Sequence, residues 1–230
     1  MLAVEVEIDA SAAAKWLPNG ITLREPARAT YFIGLYPQSG CCGPYGEAAL
    51  LLDVDFQGGP ARHCPWMLVD DDTALVLGRD MLGYPKKMGE ISVKVDESND
   101  RIEAYVDRNG VRLLQMQGQL GDTAQNPPGI FVNPVVNVWG VVPRRSEGGL
   151  ENLPRLLETH LTETIREARE VELELQVAGT NTDPIDAISP GTIRGAWLYR
   201  TDMGNSQASP LAWGTVDVDW IGRTWPLRYR

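Results

Sequence analysis

The sequence predicts an α+β domain that is dominated by antiparallel β-sheet. Short runs of apolar or alternating residues recur along the chain between turn residues, and only a few segments have helical periodicity. The clearest hairpin signal is Asn109-Gly110, because both residues tolerate the positive φ of a type I′ turn. No linker, low-complexity segment or internal repeat divides the sequence, so residues 1–230 are expected to form a single domain.

The predicted elements begin with a short helix over residues 12–16, which Asp9 or Ser11 can cap. A loop rich in glycine and proline is expected at residues 37–46, because these residues permit close turns. Apolar and β-branched runs on either side of it predict three strands, at residues 29–36, 48–56 and 64–69.

The next predicted element is a helix that leads to a pair of lysines. The three aspartates at 70–72 suit a helix start, since short acidic side chains cap free N–H groups and complement the helix dipole. Apolar residues at helical spacing follow, and Gly83 is expected to end the helix. Pro85 then favours an extended backbone, so Lys86 and Lys87 lie where the helix gives way to a strand at 90–96.

The second half of the chain is mainly predicted as strand. Strands are expected at residues 101–106, 111–120 and 130–142, and mixed structure at 185–188 and 192–198. The pattern at 150–177 is ambiguous and favours helix in its first half and strand in its second. A final strand is predicted at 214–225, before a basic tail at 228–230.

Composition excludes several function classes. With 21 basic and 31 acidic side chains the formal net charge is −10, which argues against a nucleic-acid or anionic-membrane partner because both need a basic surface. No window approaches the roughly 18 apolar residues that span a bilayer, and the N-terminus lacks the pattern of a signal peptide. We therefore expect a cytoplasmic protein without a membrane partner.

The cysteines and histidines do not predict a disulfide framework or a metal site. Cys41, Cys42 and Cys64 are odd in number, and two of them are adjacent, which favours a reduced setting. The two histidines, His63 and His160, have no ligand-like spacing to each other or to the cysteines. No metal and no other cofactor is expected.

The lysine pair is the strongest candidate for chemistry. Lys86 and Lys87 follow Tyr84 and Pro85 in apolar company, and desolvation or a neighbouring positive charge lowers the pKa of a lysine amine. A neutral amine attacks a ketone to form an imine, which accepts electrons from the loss of CO2, a proton or an aldol fragment. Adjacent residues of a strand face opposite ways, so Lys87 need not contact Lys86. The alternative is a solvated turn, because lysines are mostly exposed.

Residues 78–89, GRDMLGYPKKMG, resemble the Gly-Arg-Glu…Tyr-Pro-Lys-Lys-Leu-Gly signature of the acetoacetate decarboxylase family. The resemblance is strong over residues 64–96 and looser over 2–142. It implies that Lys86 forms a Schiff base, that Lys87 accompanies it and that Glu47 is a pocket carboxylate. Lysine activation by desolvation or a nearby cation is already described for this family. The resemblance also implies a cone-like β-barrel, strands at 150–177 and a homo-oligomer.

Two departures from the family pattern bear on the substrate. Family members carry a second pocket glutamate where this sequence has Tyr31, and an arginine upstream of Met1, so no residue of this sequence takes that arginine's role. If Met1 is the natural start, these departures fit a divergent Schiff-base branch that carries out aldol, dehydration or cyclisation chemistry on other oxo acids.

The remaining candidate site residues have bland alternatives. Glu47 is a candidate proton shuttle for the reacting atoms. The alternative is a solvated glutamate without a catalytic role. Tyr84, Met67 and Trp66 are candidate apolar walls, although Trp66 also suits core packing alone. Arg79 is a candidate for a substrate carboxylate or for an ion pair with a nearby aspartate, and Tyr31 is a candidate hydrogen-bond donor.

The predicted function is that of a Schiff-base lyase that acts on a small oxo acid or ketone. Decarboxylation of a 3-oxo acid through a Lys86 imine is the first choice. Aldol, dehydratase or cyclase chemistry through the same imine is the alternative. A third possibility is a binding protein of the same family that holds a hydrophobic small molecule without turnover.

Overall fold

The computed structural model describes residues 1–40, 42–142, 150–205 and 211–229. Within these residues the chain forms one mainly antiparallel sheet and three short helices, which confirms the predicted α+β class. Cys41 of the predicted loop and Arg230 of the predicted basic tail lie outside the described residues.

The described strands follow one another along the whole chain. They are β1 (Leu2–Glu7), β2 (Thr22–Leu23), β3 (Arg28–Tyr36), β4 (Tyr45–Phe56), β5 (Gly59–Val69), β6 (Lys86–Met88), β7 (Glu90–Asp96), β8 (Arg101–Arg108), β9 (Val111–Thr123), β10 (Val135–Trp139), β11 (Arg155–Thr159), β12 (Leu161–Val177), β13 (Ile193–Asn205) and β14 (Leu211–Thr215). The helices are α1 (Ala10–Ala14), α2 (Asp72–Leu82) and α3 (Val218–Tyr229), and a 3-10 turn covers Ile185–Ile188.

The strands form an open sheet in the order β14-β11-β10-β5-β4-β3-β1-β13-β12-β9-β8-β7, with β2 beside β4 and β6 beside β5. Among the described strands, only β10 and β6 run parallel to a neighbour, which in both cases is β5. The sheet curls back on itself. Gly46 of β4 lies against Ile91 of β7, although these two strands are not hydrogen-bonded neighbours in the sheet. This approach encloses the larger apolar core between the two halves of the sheet.

Alternate residues of the central strands supply two separate cores. Tyr31 of β3 and Trp66 of β5 face the larger core inside the curl. Their neighbours Phe32 and Met67 face a smaller core on the other side of the sheet, which also contains Phe131. This division follows from the pleat, because successive side chains of a strand point to opposite faces.

The helix before the lysines has the predicted ends. The Asp71 carboxylate accepts a hydrogen bond from the Ala74 N–H, and Gly83 ends the helix in the left-handed region with φ of 70°. Tyr84 and Pro85 then lead directly into β6. In the parallel ladder with β5, Lys86 lies opposite Met67 and Lys87 lies opposite Leu68. The two lysines therefore face opposite sides of the sheet.

Three expectations drawn from local pattern were wrong. The first half of residues 150–177 is not helical: β11 and β12 are strands, and pairing with β9 and β13 on both sides favours the extended form of β12. The end of the chain forms helix α3, because Trp220, Ile221, Thr224 and Leu227 share its buried face. Within the strand predicted at 130–142, residues 130–134 and 140–142 are not in a strand. In addition, the strand β1 was not predicted.

No helix in the described ranges is long and apolar enough to cross a membrane.

Candidate active site

Lys86 lies in a cavity of about 510 Å³ on the side of the sheet that carries the smaller core. Helix α2, the loop before β4 and the end of β13 form its walls. Most of the walls are apolar, and Met67, Leu77, Phe131 and Met203 are among the side chains that line it. A cavity of this size suits a small organic ligand.

The amine of Lys86 pairs with the carboxylate of Glu47. The Nζ atom lies 2.7 Å from Oε2, and both side chains are only 8% exposed. The Tyr36 hydroxyl lies 3.5 Å from the other carboxylate oxygen and donates to it. Burial and the negative charge of Glu47 hold the pKa of Tyr36 well above its ordinary value, so this hydroxyl keeps its proton. The result is an amine, a carboxylate and a phenol connected at one end of an apolar cavity.

Aromatic rings enclose this polar group. Tyr36 and Tyr45 stack with ring centroids 4.8 Å apart, and Lys86 Nζ lies 5.5 Å from the Tyr45 centroid. A cation over an aromatic face is attracted by the negative charge of the ring. The two tyrosines thus form an aromatic wall beside the amine. Neither tyrosine was predicted to belong to the site, because their partners come from the tertiary fold.

The side chain of Lys86 reaches Glu47 across Gly78 of helix α2. A Cβ atom added at Gly78 would lie 2.5 Å from Cε and 2.6 Å from Cδ of Lys86, which is closer than real Cβ contacts. Lys86 therefore occupies the space that a side chain on α2 would fill. The resemblance motif includes this glycine, but the sequence alone did not indicate that it borders the lysine.

Lys87 lies on the opposite face with its own carboxylate. Its Nζ atom is 2.5 Å from Asp183 Oδ1 and donates to the carbonyl oxygens of Thr182 at 2.8 Å and Pro226 at 3.1 Å. Asp183 is 1% exposed and also accepts from Trp66 Nε1 at 2.9 Å. Burial lowers the pKa of Lys87 to about 8, against the opposing effect of Asp183.

Lys87 faces away from Lys86, as the alternation of side chains along a strand predicts. Its hydrogen bonds and its counter-ion all lie on the other side of β6. Asp183 offsets the positive charge that Lys87 would otherwise present to the cavity. The sequence carried no signal for Asp183, which lies far along the chain in an ordinary turn.

The cavity brings together four of the residues proposed from the sequence: Lys86, Glu47, Tyr84 and Met67. The assignments of Tyr31 and Trp66 to this pocket are wrong, because both side chains face the larger core. The Tyr31 hydroxyl is buried and donates to the Ile185 carbonyl oxygen at 3.4 Å.

Arg79 lies outside the cavity, in a separate cleft. The suggested ion pair with an aspartate is not among the ion pairs of the described residues. Instead, the Arg79 guanidinium carbon lies 4.6 Å from the centroid of the Tyr229 ring.

The cavity contains one described cation, Lys86, and no described arginine. Across the part of the chain that the structure covers, no three His, Cys, Asp or Glu side chains gather closely enough to bind a metal ion. The polar groups that line the site are the amine, the carboxylate and the tyrosine hydroxyls described above, together with the side chains of Gln38, Ser39 and Cys42.

Comparison with known proteins agrees with the resemblance in the motif. The family model described as acetoacetate decarboxylase matches residues 1–212. An acetoacetate decarboxylase of Chromobacterium violaceum is 30% identical over 105 residues, which are 46% of this chain and 42% of that protein. The chain thus matches less than half of that relative's length.

Solved structures with low sequence identity share the fold. The crystal structure of acetoacetate decarboxylase from Legionella pneumophila has a TM-score of 0.76 at 20% identity, over 94% of this chain and 83% of that one. The enduracididine biosynthesis enzyme MppR has a TM-score of 0.75 at 18% identity, over 92% and 86%. It was solved in complex with the condensation product of pyruvate and imidazole 4-carboxaldehyde.

The contact between Gly78 and Lys86 predicts the effect of one methyl group. In Gly78→Ala, the new Cβ overlaps the Lys86 side chain, so we expect Lys86 Nζ to move beyond ion-pair distance, about 4 Å, from Glu47. A crystal structure of the variant measures this distance. Gly222→Ala is the matched control, because Gly222 is also helical and has no atom within 4 Å of an added Cβ. An unchanged Lys86–Glu47 distance in Gly78→Ala would contradict the proposed overlap.

The buried pair on the other face predicts a loss of stability. Asp183→Asn removes the buried charge that pairs with Lys87 and, at 3.6 Å, with Arg108, which is expected to lower the free energy of unfolding by about 3–5 kcal/mol in urea denaturation. Asp202→Asn is the control. The side chains of Asp202 and its partner Arg166 are 67% and 65% exposed, so the free energy of unfolding is expected to fall by less than about 1 kcal/mol. Equal losses in the two variants would show that Lys87 does not depend on Asp183.

Proposed function

The chain belongs to the acetoacetate decarboxylase family, and we propose that it is an enzyme whose Lys86 forms a Schiff base with a small oxo acid or ketone. Decarboxylation of a 3-oxo acid is the favoured reaction. The observation that carries the proposal is the Lys86–Glu47 pair, 2.7 Å apart at one end of an apolar cavity. Such a pair supplies both a nucleophile and a proton acceptor.

The first step requires a neutral amine. Glu47 accepts the ammonium proton of Lys86, and the freed lone pair attacks the carbonyl carbon of the substrate. The carbinolamine then loses its hydroxyl as water, and Glu47 returns the proton that this departure needs. The apolar walls favour the transfer, because neutralising an ion pair in place avoids holding two charges away from water.

The second step uses the protonated imine as an electron sink. The bond between the substrate's carboxylate and its α-carbon breaks, its electron pair moves to the imine nitrogen, and CO2 leaves an enamine on Lys86. A proton delivered to the enamine carbon and the addition of water release the ketone and restore the amine. One proton is consumed for each CO2 formed. Glu47 is ionised again after the dehydration step, so in this proposal it takes up one proton from solvent and passes it to the enamine carbon.

The walls suggest the kind of substrate. The cavity of about 510 Å³ holds a ligand larger than a four-carbon oxo acid, and its sides include Met67, Leu77 and Phe131. A 3-oxo acid with an apolar substituent would place that substituent against these side chains. Its carboxylate would lie among apolar groups, which disfavour the charged acid relative to neutral CO2.

Aldol, dehydratase or cyclase chemistry through the same imine is the second candidate. The lining of the cavity favours it. Among the described residues Glu47 is the one carboxylate there, and no guanidinium is present to bind the carboxylate of a 3-oxo acid. The fold shared with MppR, which was solved with pyruvate bound, is compatible with this chemistry. Both candidates need the Lys86 imine and differ in the bond that breaks afterwards.

Reductive trapping tests the shared step. Incubation with pyruvate or acetoacetate and borohydride is expected to leave a stable adduct on Lys86, located by peptide mass spectrometry. Lys87→Met keeps its cavity lysine and is expected to label, as is Lys15→Ala at a surface lysine, whereas Lys86→Ala is not. Absence of an adduct with any small oxo compound, or equal labelling of Lys86→Ala, would refute the Schiff base.

Product analysis then separates the functions. Release of CO2 from a 3-oxo acid supports decarboxylation, and condensation products without CO2 support the second candidate. An adduct on Lys86 without turnover of any oxo acid would indicate a binding protein instead of an enzyme.

A further inference from the structure

A second cleft, of about 370 Å³, lies at the C-terminal end of helix α2. Arg79, Arg228 and Tyr229 line it together with Trp139. Tyr84 borders both this cleft and the Lys86 cavity, but the two arginines lie only in the second one. The cleft therefore collects positive charge next to the proposed active site without being part of it.

Arg228 is a buried guanidinium without a carboxylate partner among the described residues. Its side chain is on α3, and the residue is 7% exposed. One nitrogen, Nη2, donates to the carbonyl oxygens of Gly83 at 2.7 Å and of Val138. The guanidinium also interacts with the Tyr229 side chain, and none of these partners is a carboxylate. Burying a guanidinium without an opposite charge costs free energy, so a bound anion would stabilise Arg228 in this position.

Arg79 brings a second positive charge to the same cleft. Its guanidinium carbon lies 4.6 Å from the Tyr229 ring centroid, and none of the described ion pairs involves it. Burial lowers the pKa of Arg228 from its ordinary value, Tyr229 opposes this effect, and the charge of Arg79 adds to it. The one acidic residue that lines the cleft, Asp80, is exposed and forms no described ion pair with either arginine.

We propose that this cleft binds a small oxyanion, a carboxylate or a phosphate, between Arg79 and Arg228. Guanidinium groups bind such anions through paired, charge-assisted hydrogen bonds, and an anion would neutralise the repulsion between the two arginines. Trp139 and Val141 form an apolar wall that could cover the carbon skeleton of an organic anion. This proposal does not depend on the Schiff-base chemistry of Lys86.

Calorimetric titration of the full chain at low ionic strength tests the site. Inorganic phosphate and succinate are titrated separately. Saturable binding of either one supports an oxyanion site, and the anion that binds shows whether the site takes phosphates or carboxylates. Arg79→Gln is expected to weaken binding about tenfold or more, since it removes one charged donor group. Arg79 suits this test because it makes no described hydrogen bond to the backbone, whereas loss of Arg228 would also free two carbonyl groups.

Two further variants serve as controls. Arg223→Gln removes the same charge from an exposed position on α3 and is expected to leave binding unchanged. Lys86→Met is also expected to keep binding, because the cleft does not include Lys86. The proposal is overturned if neither anion binds saturably, if Arg223→Gln weakens binding as much as Arg79→Gln, or if Lys86→Met abolishes binding that Arg79→Gln leaves intact.

Discussion

The parallel pairing of β6 with β5 is the constraint on which the candidate site depends. It lies directly after helix α2 and fixes which face of the sheet each lysine takes, with Lys86 opposite Met67 and Lys87 opposite Leu68. Each amine then meets a different carboxylate, Glu47 on one side and Asp183 on the other. The two adjacent lysines thereby occupy separate environments, because successive side chains of a strand point to opposite faces of the sheet.

The environments suit different tasks. Lys86 faces an apolar cavity that a ligand can enter, and its partner Glu47 is linked to Tyr36. Lys87 is enclosed by backbone carbonyls and Asp183, an arrangement that anchors β6 to the turn before the 3-10 segment and to α3. On this view the second lysine of the motif holds the strand in place, and the chemistry proposed above is assigned to the first lysine. Helix α2 contributes Gly78, which has no side chain and so leaves room for the Lys86 side chain to reach Glu47.

Local signals predicted the part of the site that is close together in sequence. The aspartate cap and Gly83 end of α2, the extended backbone at Pro85 and the opposite faces of the lysines all follow from residues within one short segment. Local pattern failed where neighbours in space decide the outcome. Tyr31 and Trp66 face away from the cavity because the pleat of their strands is set by partners elsewhere. Asp183 and α3 join the lysine region only through the tertiary fold, and the segment that forms α3 was predicted as a strand.

A crystal structure of the chain after borohydride reduction with a small oxo compound tests the central claim most directly. If Lys86 is the nucleophile, continuous density is expected from its Nζ atom into the cavity between Met67 and Phe131, with Lys87 still paired with Asp183. Density on Lys87, or an unmodified Lys86 in a crystal whose protein carries the adduct elsewhere, would contradict that claim.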